Sequence, residues 1–387
     1  MGRLMMKLGV FVVLAVAASV PLSGQIGAAT TSSQPFKLGT FEIEGEQKIG
    51  MVLQDKMIVD LEAANRQLER NPLYPRVPMP DTMLDLIGQY EYGLKFRLYE
   101  IANDIAANKR LAASPRPRYI HDVAQVRILT PIQYPRKILN TAVNFFSHVG
   151  EGGGGAEAQA KAVAARRANR GVPYMFLKPT DGVIIGDGDP IMLPYGRDRI
   201  DWEVELATVI GRSAKYVPAG KAADHIFGYM VMLDISDRGG RPPGGFSSGS
   251  DWFVGKGHDT FGPMGPWIVP KEFYGDPMKN LRQTLSVGTT QMQEGTAGDM
   301  IHSLYEVIEY ASSIVTLFPG DVIGAGTSGG VGMGTTVRGK QVFLKAGDKI
   351  VATIDGIGTL THPVMQEAAP APGTGSYLPP DSSYRKQ

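Results

Sequence analysis

The feature that most restricts the fold of this chain is the regular interruption of its apolar segments. Between residues 134 and 365 the apolar runs are short, and glycine or proline separates them; examples are residues 183–185, 204–210, 229–233 and 349–354. The chain contains 48 glycines and 27 prolines. Many short β-type runs with few helical segments predict an α+β fold that is mainly β, rather than a doubly wound sheet.

The segment before this region has a different pattern. Alternating apolar residues flank a glycine-containing turn in residues 36–60, which predicts a β-hairpin. Residues 80–110 repeat apolar side chains at helical spacing behind a cap at Asp81 or Thr82. Prolines at 115–117 and 131–135 then punctuate the chain. We therefore predict a small N-terminal β-rich domain over residues 30–130 and a catalytic domain over residues 131–365.

Two helices and a tail complete the prediction for the second half. Residues 156–170 are alanine-rich and follow a run of glycines, whereas residues 303–317 carry an apolar stripe that includes Ile314 and Val315. Residues 366–387 are rich in proline and glycine and have little to bury. They are predicted to be a disordered tail.

The first 29 residues have the pattern of a secretory signal peptide. Arg3 and Lys7 precede an apolar run over residues 8–20, and small residues follow it. The run is shorter than the roughly 20 residues that span a bilayer, so we expect a periplasmic or secreted protein with no stable membrane anchor; an uncleaved anchor is the alternative. The chain has no cysteine, which excludes disulfides and thiolate metal ligands.

The overall charge argues against a nucleic-acid partner. Lys and Arg number 39 and Asp and Glu 38, giving a formal net charge of +1, and no segment clusters basic residues. Proteins that follow a phosphate backbone need such clusters. The sequence therefore predicts no nucleic-acid partner.

Three acidic residues are candidate metal ligands. Glu203 and Glu205 are two apart in a strand-like run, so their side chains leave the same face. Asp234 ends another apolar run, and Arg238 could balance its charge. Converging carboxylates repel unless solvent or a cation compensates them, and hard oxygen ligands favour Mg²⁺, Mn²⁺ or Ca²⁺. The alternatives are a solvated strand face for the glutamates and a turn or cap for Asp234.

Several spaced motifs occur in the order typical of the fumarylacetoacetate hydrolase family, which this chain resembles over residues 134–365. They are Phe176-Leu-Lys-Pro-Thr180, Asp201-Trp-Glu-x-Glu-Leu206, Gly228-Tyr followed by Asp234-x-Ser-x-Arg238, Gly255-Lys-Gly-x-Asp-Thr-Phe261 and Pro319-Gly-Asp-Val-Ile323. The resemblance implies a mixed β-sandwich-roll domain, usually a homodimer, with a divalent cation held by Glu203, Glu205 and Asp234.

The resemblance also implies a catalytic pair. His148 and Glu151 match the family's His-Glu motif, with Phe145 where relatives have tyrosine, and Glu151 would orient the imidazole. Residues 140–143 lack the extra acidic ligand of fumarylacetoacetase, so the chain looks closer to the acylpyruvase and oxaloacetate-decarboxylase branch. Substrate contacts are expected from Arg238, Gln293 and Thr327. Departures at Ala325, Ser328 and residues 239–249 leave the substrate unassigned.

The implied activity is hydrolysis of a C–C bond in a 1,3-dicarbonyl or acylpyruvate-type oxo-acid through a metal-bound enolate. His148, assisted by Glu151, would activate water, and Lys256 would supply positive charge near the developing oxyanion. Residues 152–170 would close as a lid. The alternatives are a decarboxylase or isomerase with the same metal chemistry, or a non-catalytic exported protein that binds an oxo-acid or diketone.

The signal peptide predicts where the mature chain begins. N-terminal sequencing of exported protein should start between about residue 24 and residue 31, because small residues of the type found at cleavage sites lie there. Full-length protein recovered from the cytoplasm would contradict export.

Overall fold

This computed structural model describes residues 30–151, 154–240, 251–334 and 339–375. Its strands in chain order are β1 (Lys37–Ile43), β2 (Glu46–Leu53), β3 (Met57–Asp60), β4 (Ile120–Asp122), β5 (Arg127–Leu129), β6 (Ile138–Ala142), β7 (Tyr174–Lys178), β8 (Ile184–Ile185), β9 (Ile191–Leu193), β10 (Ile200–Asp201), β11 (Val204–Ile210), β12 (Ile226–Leu233), β13 (Ser236–Asp237), β14 (Gly262–Pro270), β15 (Arg282–Val287), β16 (Thr290–Thr296), β17 (Val322–Gly324), β18 (Lys349–Ile354) and β19 (Gly358–Gln366).

The helices are short apart from α3, α5 and α9. In chain order they are α1 (Leu61–Leu68), α2 (Met83–Gln89), α3 (Lys95–Ala107), α4 (Phe146–Val149), α5 (Gly155–Ala168), α6 (Trp252–Lys256), α7 (Lys271–Tyr274), α8 (Pro277–Asn280) and α9 (Leu304–Ile314). A π-helical turn, Tyr90–Leu94, joins α2 to α3. The predicted mainly β, α+β class is confirmed.

One large mixed sheet organises the molecule. Its strand order is β4-β3-β2-β1-β14-β12-β11-β17-β6-β7, with β5 on β1 and β8 on β14. A second sheet has the order β16-β15-β18-β19-β9, and β10 pairs with β13. β7 forms one end of the large sheet.

The central strands β11 and β12 are buried throughout because an apolar core lies on each side of them. Val204 and Leu206 belong to one core, and Ala207 and Val209 belong to the other. Side chains alternate between faces along a strand, so a continuous apolar run is what a strand between two cores requires. Polar residues at the ends of these strands are therefore held on a rigid support.

The N-terminal segment joins the same sheet. The predicted hairpin is β1 and β2, with a turn at Glu44 and Gly45, and Thr82 caps α2 as predicted. β1 also pairs with β14 of the later region. Tyr90 and Tyr99 both donate to the Glu272 carboxylate, at 2.5 and 2.7 Å. The division near residue 130 stays a prediction, since the sheet runs across it.

Both helices predicted for the second half are present, but one residue of the apolar stripe predicted for residues 303–317 is exposed. α9 begins behind Ser303, whose hydroxyl accepts from Glu306 N in a capping box. Leu304 and Val307 are buried as expected. Ile314 is instead 61% exposed, because the helix ends there and the last turn leaves the core.

The structure bears differently on the two predictions for the ends of the chain, the N-terminal signal peptide and the C-terminal tail. The signal peptide lies outside the described residues and stays a prediction. The tail was placed too early: Gln366 ends β19, and the Glu367 amide donates to Leu193 O at 2.9 Å. Within the described parts of the chain, no helix combines the length and apolarity needed to cross a bilayer.

A packing prediction follows from two facing glycines. Gly39 and Gly50 are partners across β1 and β2, and the Phe41 ring lies against both. A Cβ on Gly50 would come within 2.7 Å of Phe41 and of Ile58. We expect Gly50→Ala to lower the free energy of unfolding by about 1–3 kcal/mol, the usual cost of overpacking.

The matched control is Gly88→Ala in α2, where no atom lies within 4 Å of the added carbon. That change should be neutral or stabilising by up to about 1 kcal/mol, because alanine favours helices. Urea denaturation followed by circular dichroism measures both variants. Equal free energies of unfolding for Gly50→Ala and Gly88→Ala would show that the Phe41 ring tolerates a Cβ at residue 50.

Candidate metal centre

The three predicted metal ligands meet at the ends of the two central strands. Glu203 directly precedes β11, Glu205 lies within it, and Asp234 directly follows β12. The Asp234 amide donates to Glu203 O at 2.9 Å, which extends the β11–β12 pairing by one residue. All three carboxylates are buried, and one oxygen from each lies within 4.8 Å of the others. Strand alternation thus places three acids on one face, as predicted for the glutamates.

Two lysines hold Asp234 from opposite oxygens. Lys256 Nζ is 2.5 Å from Asp234 Oδ2 and 3.0 Å from Glu203 Oε2. Lys178 Nζ is 2.5 Å from Asp234 Oδ1 and is fully buried on β7. The sequence predicted no role for Lys178, which lies within the Phe176-Leu-Lys-Pro-Thr180 motif. A lysine ending a strand resembles an ordinary solvated residue, so only its place in the motif could have marked it.

Arg238 makes hydrogen bonds to carboxylates other than Asp234; burial lowers the pKa of Arg238, whereas the charges of Glu203, Asp201 and, to a smaller extent, Asp234 raise it. The sequence suggested that Arg238 balances Asp234, but its guanidinium donates to Glu203 and, at 3.2 Å, to Asp201 Oδ2. Antiparallel pairing of β10 with β13 places Asp201 opposite Ser236, two residues before Arg238, and so brings Asp201 near the guanidinium. The Arg238 side chain is 18% exposed, and the prediction that it contacts substrate stays untested.

Asp201 is a second residue that the sequence did not reveal. It is fully buried and accepts from the backbone amides of Trp202, Gly332 and Met333 as well as from Arg238. Arg238 in turn contacts Glu203. Asp201 therefore connects a metal-ligand candidate to the loop that contains Gly332.

The carboxylates of the cluster are not electrostatically equivalent. Burial raises the pKa of Glu205 well above its usual range, and the negative charges of Asp234 and Glu203 add to that effect. Burial also disfavours the Glu203 carboxylate, but the charges of Lys256 and Arg238 outweigh it and hold the pKa of Glu203 low. Glu205 receives only neutral donors among the described residues, from Asn140 Nδ2 and Gly326 N, both at 3.2 Å.

The site's composition fits a divalent cation. Four buried carboxyl groups (Glu203, Glu205, Asp234 and Asp201) lie beside three cationic side chains (Lys178, Lys256 and Arg238), and none of these three cations makes an ion pair with Glu205. Three converging carboxylate oxygens are the hard ligands that Mg²⁺, Mn²⁺ and Ca²⁺ prefer. A cation bound by Glu203, Glu205 and Asp234 would offset the cost of burying the Glu205 carboxylate and its repulsion by Asp234 and Glu203.

The predicted His-Glu pair is formed. His148 Nδ1 lies 2.9 Å from Glu151 Oε2, and Glu151 Oε1 accepts from Gly330 N at 2.6 Å. Both residues lie on or just after the short helix α4. Gly326, four residues before Gly330, donates its N–H to Glu205 at 3.2 Å. The two groups of predicted site residues are therefore close in space.

A glycine-rich loop, residues 324–334, contacts both groups. Its amides donate to Glu205 from Gly326, to Ser147 from Gly329 and to Glu151 from Gly330. The positive φ angles of Gly326 and Gly330 suit only glycine, and a Cβ on Gly330 would overlap Met292 O. The loop thus holds the carboxylates with backbone N–H groups.

Gln293 and Thr327 have a structural role in this arrangement. Gln293 Oε1 accepts from Val204 N, and its Nε2 donates to Thr327 Oγ1 and Ser328 O. Thr327 Oγ1 donates to Val204 O at 2.7 Å. Both side chains are buried. Their hydrogen-bonding groups brace β11 against the glycine-rich loop, and their predicted role as direct substrate contacts stays a prediction.

The predicted lid segment is partly described. Residues 152 and 153 lie outside the described residues, and α5 follows them with no buried side chain. Arg167 lies over the Phe146 ring at 4.0 Å, and Arg170 donates to Ile301 O and Glu306. The helix is therefore attached at its C-terminal end, next to α4.

The fold and this site define an enzyme that holds a divalent metal between buried carboxylates. The chain belongs to the fumarylacetoacetate hydrolase family, because the family model "Fumarylacetoacetate (FAA) hydrolase C-terminal" matches residues 137–365, more than half of the chain. The predicted resemblance is confirmed.

Its relatives include hydrolases and an isomerase. Maleylpyruvate hydrolase from Sphingobium sp. SYK-6, solved with manganese(II) and pyruvate, is 29% identical with a TM-score of 0.61, covering 86% of this chain and 100% of that one. A 5-carboxymethyl-2-hydroxymuconate delta-isomerase from Mycobacterium smegmatis is 28% identical with a TM-score of 0.58 over the same shares. A curated relative, the 2,4-didehydro-3-deoxy-L-rhamnonate hydrolase of Sphingomonas sp. (strain SKA58), is 38% identical over 194 residues, 50% of this chain and 65% of that protein.

The metal centre predicts a loss of binding without a loss of fold. Glu205→Gln keeps the shape of the side chain but removes one charged ligand, so Mn²⁺ affinity measured by titration calorimetry should fall by about 10-fold or more. Glu294→Gln, at an exposed surface ion pair, is the control and should bind Mn²⁺ as the parent does. If Glu205→Gln bound Mn²⁺ as tightly as the parent does, Glu205 would not be a metal ligand.

Proposed function

We propose that this chain is a divalent-metal-dependent hydrolase that cleaves a C–C bond in a 1,3-dicarbonyl or acylpyruvate-type oxo-acid. The observation that carries the proposal is the His148–Glu151 pair, braced by Gly330 and close to the carboxylate cluster. Hydrolysis needs a base that takes a proton from water, and an imidazole oriented by a carboxylate can act as that base. Two relatives named as hydrolases support this choice.

The chain's own residues have distinct tasks in this reaction. Glu151 accepts from His148 Nδ1, which leaves Nε2 as the atom that takes a proton from water. The resulting hydroxide adds to the carbonyl carbon, and the C–C bond breaks with its electron pair leaving on the carbon between the carbonyls. His148 returns its proton to that carbon, so the pair ends as it began.

Positive charge stabilises the oxygen that becomes negative. Lys256 lies beside Glu203 and Asp234, within reach of a ligand at the cluster, and its burial strengthens its field. A bound divalent cation, Mg²⁺ or Mn²⁺ above all, would supply further positive charge to polarise the substrate's oxygens. Residues 154–170 next to His148 are placed to exclude bulk water.

Isomerase and decarboxylase activities are the alternatives, since one relative's structure is that of an isomerase. Neither reaction consumes water. Product analysis by NMR with acylpyruvates, oxaloacetate and cyclic diketones distinguishes them, because only hydrolysis yields two acids or one opened acid. An exported binding protein without turnover would give no product at all.

Replacing the base tests the proposal most directly. In Mn²⁺-loaded protein, His148→Ala should bind metal and oxalate as the parent does but lose C–C cleavage by ~10² or more, the usual effect of removing a general base. Glu151→Gln should lose less, since the imidazole remains but its bracing charge is gone. His225→Ala, in the turn before β12, is the control. Parental turnover in His148→Ala on every accepted substrate would make water activation by His148 untenable.

A further inference from the structure

Three aromatic side chains form a surface beside the metal centre. Tyr174 and Phe176 lie on β7, and Trp252 begins α6. The Phe176 and Trp252 rings are stacked, with centroids 4.6 Å apart and an interplanar angle of 19°. The Tyr174 ring meets Trp252 edge-on at 5.7 Å, and Trp252 Nε1 donates to the Tyr174 hydroxyl at 3.0 Å. We call these three rings the aromatic shelf.

The shelf begins at the charged residues of the site. Tyr174, Phe176 and Lys178 alternate along β7 and so share one face. Lys178 contacts Asp234, and Lys256 Nζ lies 5.2 Å from the centroid of the Phe176 ring. Lys256 is one turn after Trp252 on α6, which aligns them on the helix. The surface therefore leads outward from the carboxylate cluster.

Packing alone does not account for these rings. Neither apolar core contains them, and Tyr174 is 53% exposed at the end of the large sheet. Phe176 and Trp252 are half-buried, so each leaves part of a ring in solvent. An apolar surface that adjoins a few buried charged groups has the usual composition of a ligand site.

We propose that the aromatic shelf binds the tail of the substrate, and that the substrate is a 2-oxo acid whose tail is aromatic or conjugated and carries no charge. The proposal rests on the proposed function, because the metal centre must hold the oxo-acid end. Stacked and edge-on contacts favour planar groups. Among the described residues, the cations beside the shelf, Lys178 and Lys256, are already paired with Asp234 and Glu203, which disfavours a tail ending in an acid.

Two ligands that share a head group separate the shelf from the metal centre. Pyruvate and phenylpyruvate are both 2-oxo acids, they differ by a phenyl group, and neither contains a 1,3-dicarbonyl to be cleaved. In calorimetry on Mn²⁺-loaded full chain, phenylpyruvate should bind about 10-fold more tightly than pyruvate. Tyr174→Ala should reduce that preference to about threefold or less without changing the affinity for pyruvate.

Two further variants complete the experiment. Tyr174→Leu keeps apolar volume without a ring and should give an intermediate preference, so the result does not depend on one variant. Tyr216→Ala removes a tyrosine that is 74% exposed and lies beside Lys215 rather than the shelf, and it should keep the full preference.

The outcomes distinguish the two proposals. Equal affinity of the parent for both acids, or an unchanged preference in Tyr174→Ala, overturns the shelf and leaves the metal centre in place. If Tyr174→Ala alters only the molar mass measured by light scattering, the face contacts a second copy of the chain and the shelf is overturned. Failure of both acids to bind the Mn²⁺-loaded protein overturns the proposed function and the shelf together.

Discussion

The burial of converging carboxylates is the constraint on which the rest of this structure depends. Charged groups taken out of water are costly unless other charges and hydrogen bonds compensate them. Here the compensation comes from elements far apart in the sequence: Lys178 from β7, Lys256 from α6 and Arg238 after β13. The large sheet contains β7, β11 and β12, whereas β13 pairs with β10 in a separate two-stranded sheet; two apolar cores enclose β11 and β12. The fold therefore holds several carboxylates close together in the protein interior by placing cationic side chains beside them.

The two halves of the site are supported differently. The carboxylates lie on or next to central strands that are buried on both faces, whereas His148 lies on the single turn of α4 and Glu151 just after it, next to the solvent-exposed helix α5. Rigid support suits groups that must keep a fixed spacing. A base such as His148 must be reached first by water and then by substrate, and a position near the surface allows this access. The glycine-rich loop connects the two by contacting Glu205 and Glu151.

Sequence reasoning succeeded where a periodic pattern determines direction. Alternation along β11 placed Glu203 and Glu205 on one face, and the motif spacing identified His148 with Glu151. It did not reveal that Gln293 and Thr327 hydrogen-bond to the backbone of β11, because a polar side chain that braces a backbone has the same local pattern as one that binds a ligand. It also missed Lys178 and Asp201, whose partners come from segments distant in the sequence that no local pattern specifies. Local sequence propensity locates the helices and strands, but the tertiary packing of those elements decides which polar side chains contact each other.

The glycine-rich loop has a consequence for protein engineering. Its contacts to Glu205 and Glu151 use backbone amides, so they do not depend on which side chains the neighbouring positions carry. Ala325 and Ser328 can differ from relatives without loss of those contacts, whereas Gly330 and Gly334 have no room for a Cβ. An effort to retarget this scaffold would therefore leave the loop intact as a fixed frame. Diversity would be introduced on β7 and α6, where side chains rather than the main chain face the ligand.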